Sequence, residues 1–192
     1  MAGPLDRDDL INGLREIILR AHQQNITGVS IRIVGGAALQ IAYFDRPTTA
    51  DLDAKIEPLD TVIAIAEEIA RERDWPLDWL NDKATMFIPS WGRTVDWEPI
   101  FDDESVSISV APIEALLAMK LLASASRPGR DTDDIVNLLR LNNIATIDDA
   151  EALFESFYPG DALAGRTIAL LERIFSIGLP PAPPTPPRPD FN

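Results

Sequence analysis

Apolar residues recur at helical spacing over residues 8–24, where Leu10, Leu14, Ile17, Ile18 and Ala21 share one side and acids stand at the start. This predicts an amphipathic helix with Asp8 or Asp9 near its cap. The β-branched stretch 30–34 predicts a strand running into Gly35-Gly36. Residues 37–43 have helical composition, so a helix is expected directly behind the glycines. A second strand is expected over 48–56 and a second long helix over 58–73. Leu59, Val62, Ile63, Ala66, Ile69 and Ala70 would form the apolar face of that helix.

The pattern breaks down over 74–103, which holds Trp75, Trp79, Trp91 and Trp97. Packing under a long loop is the expected role of these tryptophans. A strand interrupted at Pro99 fits 95–101, and the Val-Ser-Ile-Ser-Val alternation of Val106–Val110 suits a half-buried strand. Helices are expected over 113–125 behind Pro112, over 131–141, and over 162–177. Thr146 and Asp149 have the spacing of a capping pair, and Arg127-Pro128-Gly129 reads as a turn. Residues 180–189 are proline-rich, which predicts a disordered or polyproline tail. The whole is an α/β (α+β) pattern: a small mixed sheet flanked by helices over 1–111, a helical part over 112–178, and a tail over 179–192.

Composition narrows the picture. With 192 residues, 46% apolar and 25% charged, the chain suits one well-buried core plus a small helical annex. Cysteine is absent, which excludes disulfides, thiolate nucleophiles and cysteine-bound zinc. No signal-like block and no apolar run approaching the ~20 residues of a membrane span are found, so a cytoplasmic location without membrane contact is expected. The formal charge of -14, from 31 acids against 17 bases, argues against a broad nucleic-acid surface. A local basic cleft near Arg46, Arg127 and Arg130, a divalent-metal site, or a basic protein partner stays open.

Candidate chemistry begins with Thr49-Ala50-Asp51-Leu52-Asp53-Ala54-Lys55-Ile56. Strand alternation puts Asp51, Asp53 and Lys55 on one face, with the two carboxylates about 7 Å apart along the chain. Two like charges that close call for a cation or a shared proton, and Mg2+ takes such oxygens together with substrate phosphates. Just before them, strand, Gly35-Gly36 and helix form a geometry in which backbone N–H groups can approach a phosphate. Lys120 lies inside the apolar run 115–123, so it must reach solvent or meet a partner. Asp131 stands near a helix start, where an acid also caps. His22, the single histidine, reads as a surface residue.

Taken in order, the run IVGGAALQIAYFDRPTTADLDAKI resembles the signature of the DNA polymerase β-type nucleotidyltransferases, and within them the AbiEii-type group of abortive-infection and toxin–antitoxin enzymes. The block LLAMKLLASASRPGRDTDDIVNLL is similar to that group's downstream block. The two together span about residues 31–139. The resemblance implies a nucleotidyltransferase-type core over 1–111 that moves a nucleoside monophosphate from a nucleoside triphosphate to a hydroxyl acceptor. It further implies that Gly35, Gly36 and Arg46 bind the nucleotide and Asp51 and Asp53 hold Mg2+. Lys120 would contact phosphate, and Asp131 would be the polar partner of the second block. An RNA end, a protein side chain or a small molecule could be the acceptor. Many relatives carry Gly-Ser in place of Gly35-Gly36 and a third carboxylate on a later strand; Val106–Val110 has no acid, leaving Asp96 and Glu98 as candidates. A nucleotide-binding or interaction module of the same fold, without turnover, is the alternative.

Overall fold

Seventeen residues behind an aspartate open the chain as α1 (Arg7–Gln23), in a computed structural model that describes residues 3–46, 48–126 and 129–191. The cap is Asp6 rather than Asp8 or Asp9. Its carboxylate accepts the Asp9 N–H at 2.8 Å, and Asp9 returns a bond to the Asp6 N–H, so two otherwise orphaned donors are satisfied. Strand β1 (Val29–Ile33) follows, then α2 (Gly35–Ala38), which continues as a π-helical turn over Leu39–Tyr43. The helical stretch therefore includes both glycines. Next come β2 (Leu52–Glu57), α3 (Leu59–Arg73), the short β3 (Leu80–Asn81), β4 (Glu98–Asp102) and β5 (Val106–Val110).

The strands form one five-stranded mixed sheet in the order β3-β2-β1-β5-β4. β1 runs antiparallel to β2 and parallel to β5, with Ile33 opposite both Ala54 and Val110. Ile31, Ile33, Leu52, Ala54, Ile56, Ile108 and Val110 are buried on one face. Arg32, Lys55 and Ser109 are neighbours on the other. α3 packs on β2 and β3 and against α1. Its buried residues are Val62, Ile65, Ala66, Ile69 and Ala70. Leu59, expected inside, is exposed, because it opens the helix where the chain has just left the sheet.

Pro99 lies within β4, and the register shifts between Pro99 and Phe101. β4 is an edge strand, where a residue lacking an N–H is tolerated. Trp79 is fully buried and donates from Nε1 to the Ala66 carbonyl at 2.9 Å, edge-on to Trp75. Trp97 instead stacks with the Arg32 guanidinium, and Trp91 is exposed. The packing role holds for two of the four tryptophans.

The chain divides into two units. The sheet with α1 to α3 makes the first, Met1–Met86 with Trp97–Ala111 and Pro184–Asn192. The proline-rich segment has no helix or strand, but its end is anchored, contrary to a disordered tail. Phe191 is buried edge-on to Phe101, and the Pro187 carbonyl accepts from Arg7. The second unit, Phe87–Asp96 with Pro112–Pro183, holds α4 (Ile113–Ser124), α5 (Thr132–Leu141), α6 (Ile147–Phe157) and α7 (Gly165–Ile177). Residues 87–96 thus join the helical part rather than the sheet. α4 is the hub against which α5, α6 and α7 pack. Thr146 caps α6 by accepting the Asp149 N–H at 3.1 Å. The expected turn at Arg127-Pro128 and the Arg127 share of a basic cleft lie outside the described residues.

Candidate active site

The expected strand 48–56 is shorter than its pattern, because Thr49 pairs elsewhere. Its backbone exchanges two hydrogen bonds with Leu5, at 2.8 and 2.9 Å, and the chain bends at Ala50 before β2 begins at Leu52. Asp51 therefore stands one residue ahead of β2 and Asp53 is its second residue. Leu52 between them is fully buried, while both aspartates are partly exposed, as alternation requires. The Asp53 carbonyl accepts the Val34 N–H at 2.9 Å, which sets Gly35 directly beside it.

Gly35 has φ +67°, a left-handed conformation that glycine adopts without penalty. A Cβ on Gly35 would lie 3.4 Å from Asp53 Oδ2. At Gly36 a Cβ would collide with the Arg46 guanidinium and sit 3.2 Å from Thr49 Oγ1. Gly35 with Asp53, and Gly36 with Arg46 and Thr49, are thus brought together. The π turn behind them is closed by the Phe44 N–H on the Leu39 carbonyl at 3.0 Å, a five-residue span. Gln40, buried in that turn, donates to the Arg46 carbonyl at 2.9 Å and ties down the arginine's backbone.

Three residues of this unit were not singled out by sequence reasoning. Thr49 donates from Oγ1 to the Asp51 carbonyl at 3.2 Å. Asn81, in register with Asp53, donates from Nδ2 to Asp51 Oδ2 at 3.1 Å. Lys83 bonds Asp78 at 2.5 Å, and that hydrogen bond is the chief cause raising its pKa; burial opposes it, and the charges of Asp78, Asp51 and Asp53 add to it. The Thr-x-Asp-x-Asp run carried a signal for Thr49. Nothing in the local pattern of Asn81 or Lys83 announces a pairing across the sheet.

Lys120 and Asp131 belong to the second unit. On α4 every neighbour of Lys120 along the run is apolar, and the lysine meets a partner rather than solvent. Its ammonium lies 2.5 Å from Asp131 Oδ1 and 2.9 Å from Asp134 Oδ2, with all three side chains largely buried. Asp131 stands at the N-cap of α5 but makes no side-chain cap, because its carboxylate is turned to the lysine. Asp134, one turn on, was not singled out. One ammonium therefore serves two buried carboxylates, and Asp131 Oδ2 accepts no hydrogen bond among the described residues. Arg130 is exposed.

For a third carboxylate, the sheet register is decisive. Glu98 pairs with Val110, Val110 with Ile33, and Ile33 with Ala54, so Glu98 takes the face opposite to Asp53. Asp96 is an exposed residue of the second unit. Among the described residues no three acidic or histidine side chains are grouped to hold a metal ion. Asp51 and Asp53 by themselves are a pair of hard oxygen donors, partly exposed, with Asn81 bound to one Asp51 oxygen. That set fits Mg2+, which is commonly held by one or two carboxylates and completes its shell with water and phosphate. No helix among the described residues is long and apolar enough to cross a membrane.

No family model, no curated protein and no solved structure matches the chain.

Proposed function

We propose that this chain is a metal-dependent nucleotidyltransferase that moves a nucleoside monophosphate group from a nucleoside triphosphate to a hydroxyl acceptor. The observation that carries the reading is the closeness of the Asp53 carboxylate to the left-handed Gly35, where an added Cβ would lie 3.4 Å from Oδ2, with Asp51 on the same side of the chain. It joins a candidate phosphate cradle to a candidate metal pair. Bound between Asp51 and Asp53, Mg2+ would supply charge neutralisation to the phosphates. Backbone N–H groups at Gly35 and Gly36 bind the triphosphate, and the Arg46 guanidinium balances its charge. The acceptor oxygen attacks the α-phosphorus in line, the bond from that phosphorus to the bridging oxygen breaks, diphosphate leaves, and the hydroxyl proton passes to solvent.

Lys120 and Asp131 enter this reading through the resemblance alone, since they are paired with each other and with Asp134. An RNA end, a protein or a small molecule is the acceptor, in the cytoplasm, and a toxin-type role belongs to the same reading. The net charge of -14 makes a basic protein the fitting macromolecular partner. A second reading keeps the nucleotide and drops the turnover, as an interaction module. It is favoured by the register that turns Glu98 away from Asp53.

The test is calorimetric titration with ATP, CTP, GTP and UTP, with and without magnesium, on the wild type and on Asp51→Asn/Asp53→Asn. Magnesium-dependent binding that disappears in the double variant is expected, followed by labelled transfer. Absence of binding to all four nucleotides overturns both readings of the nucleotide site.

A further inference from the structure

We infer that Asn81 is a positioning residue that holds Asp51 in its metal-binding orientation, an inference that rests on the nucleotidyltransferase reading of the Asp51–Asp53 pair. Asn81 closes the two-residue strand β3, where it is in parallel register with Asp53 and only 6% exposed. Its amide is engaged on both sides. Nδ2 donates to Asp51 Oδ2 at 3.1 Å and to the Asp78 carbonyl at 3.2 Å, while Oδ1 accepts the Lys83 N–H at 3.0 Å.

This pattern leaves a single orientation of the amide. Turned over, Oδ1 would face the Asp51 carboxylate and Nδ2 would face the Lys83 N–H, giving acceptor against acceptor and donor against donor. The donor aimed at Asp51 is therefore fixed by the backbone of the Asp78–Lys83 loop rather than by Asp51 itself. Asp51 needs such a brace. It stands outside β2, behind the bend at Ala50, whereas Asp53 lies within the strand, in register with Asn81 and with its carbonyl bonded to the Val34 N–H. A hydrogen bond to one carboxylate oxygen limits rotation of the group and keeps its charge directed, as outer partners of metal ligands do.

The loop also brings Lys83, whose elevated pKa reflects Asp78 first and the Asp51 and Asp53 charges after it. Asn81 thus links the carboxylate pair to the loop that carries Lys83.

The test titrates Mn2+ alone, as a paramagnetic probe, into the full chain and follows broadening of the Asp51 and Asp53 amide signals. Wild type, Asn81→Ala and Asn81→Ser are compared, each with its thermal midpoint. Serine keeps an oxygen for the Lys83 N–H but is too short to reach Asp51, so it separates the brace from the loop's own stability. Both variants are expected to weaken Mn2+ binding about 10- to 100-fold, with the serine variant close to the wild-type midpoint. Equal Mn2+ binding in wild type and Asn81→Ser overturns the positioning role and leaves the metal pair standing. No broadening at Asp51 or Asp53 in wild type overturns the metal reading, and the inference with it.

Discussion

Gly35 and Asp53 lie side by side: at the left-handed glycine, φ +67°, an added Cβ would stand 3.4 Å from the Asp53 Oδ2. The space is ordinary van der Waals contact; the conformation is the obstacle. An L-residue in the left-handed region costs roughly 1–2 kcal/mol. Gly35→Ala is therefore expected to lower stability by about that amount, read from thermal or urea denaturation. If its midpoint equals the wild type's, the backbone conformation described for Gly35 is wrong.

Gly36 poses the opposite case. Its φ is ordinary, but an added methyl runs into the far end of the Arg46 side chain. A flexible guanidinium can move aside at small cost, so Gly36→Ala should change stability by less than ~0.5 kcal/mol. Displacing Arg46 should nevertheless weaken magnesium-dependent triphosphate binding. Calorimetry on this variant beside Gly35→Ala separates the two roles: intact binding in Gly36→Ala removes Arg46 from the proposed nucleotide site.

Lys120 is ion-paired with two buried aspartates. Removing the charge with Lys120→Met leaves Asp131 and Asp134 uncompensated in an apolar setting, which costs about 3–5 kcal/mol. Restoring balance with Asp131→Asn and Asp134→Asn in the same chain should recover much of the loss. Chemical denaturation of the single and triple variants measures it, and a near-neutral Lys120→Met would show the trio to be well hydrated.

Gly13 on α1 is required by the tryptophans. A Cβ there would lie 2.5 Å from Trp79 Cη2 and 3.1 Å from the Trp75 ring, both rigid groups. Overpacking costs of about 1–3 kcal/mol should outweigh the roughly 1 kcal/mol that alanine gains in helix propensity. Gly13→Ala is accordingly expected to be less stable than wild type, with altered tryptophan fluorescence.

Asp103 ties the β4–β5 turn to pH. Burial pushes its carboxyl up, but N–H bonds from Val106 and Ser105, together with His22, outweigh that and hold its pKa below 3.8. The folded value lies below the unfolded one, so its contribution is present above the ordinary carboxylate range. It is lost as pH falls through the depressed value. The stability difference between wild type and Asp103→Asn should thus fade as pH falls through the depressed Asp103 value. A difference that persists in full once that carboxylate is protonated contradicts the sign.

The candidate site was legible where chemistry lay within one segment. Asp53, its buried neighbour Leu52 and the glycine pair could be read from alternation and residue type. Asp51 was assigned to a strand that begins only after it, since the pairing of Thr49 with Leu5 crosses more than forty residues and leaves no local trace. Lys120 was marked by its apolar setting, which required a partner. Asp131 had its expected role through the resemblance alone; that it pairs with the lysine, together with Asp134 from the same turn of α5, came from the structure.

By itself, the order of apolar and polar residues determined the long helices, the strands other than β3 and the half-buried face on which Asp53 lies. These depend on periodicities of a few residues, and burial rewards them wherever the segment ends up. Only the tertiary structure decided what surrounds the two aspartates: Gly35 against Asp53, Asn81 on Asp51, Glu98 turned to the other face, and Phe191 holding the end of the proline-rich segment. Each depends on the register between distant segments, where a slip of one residue would reverse every side chain.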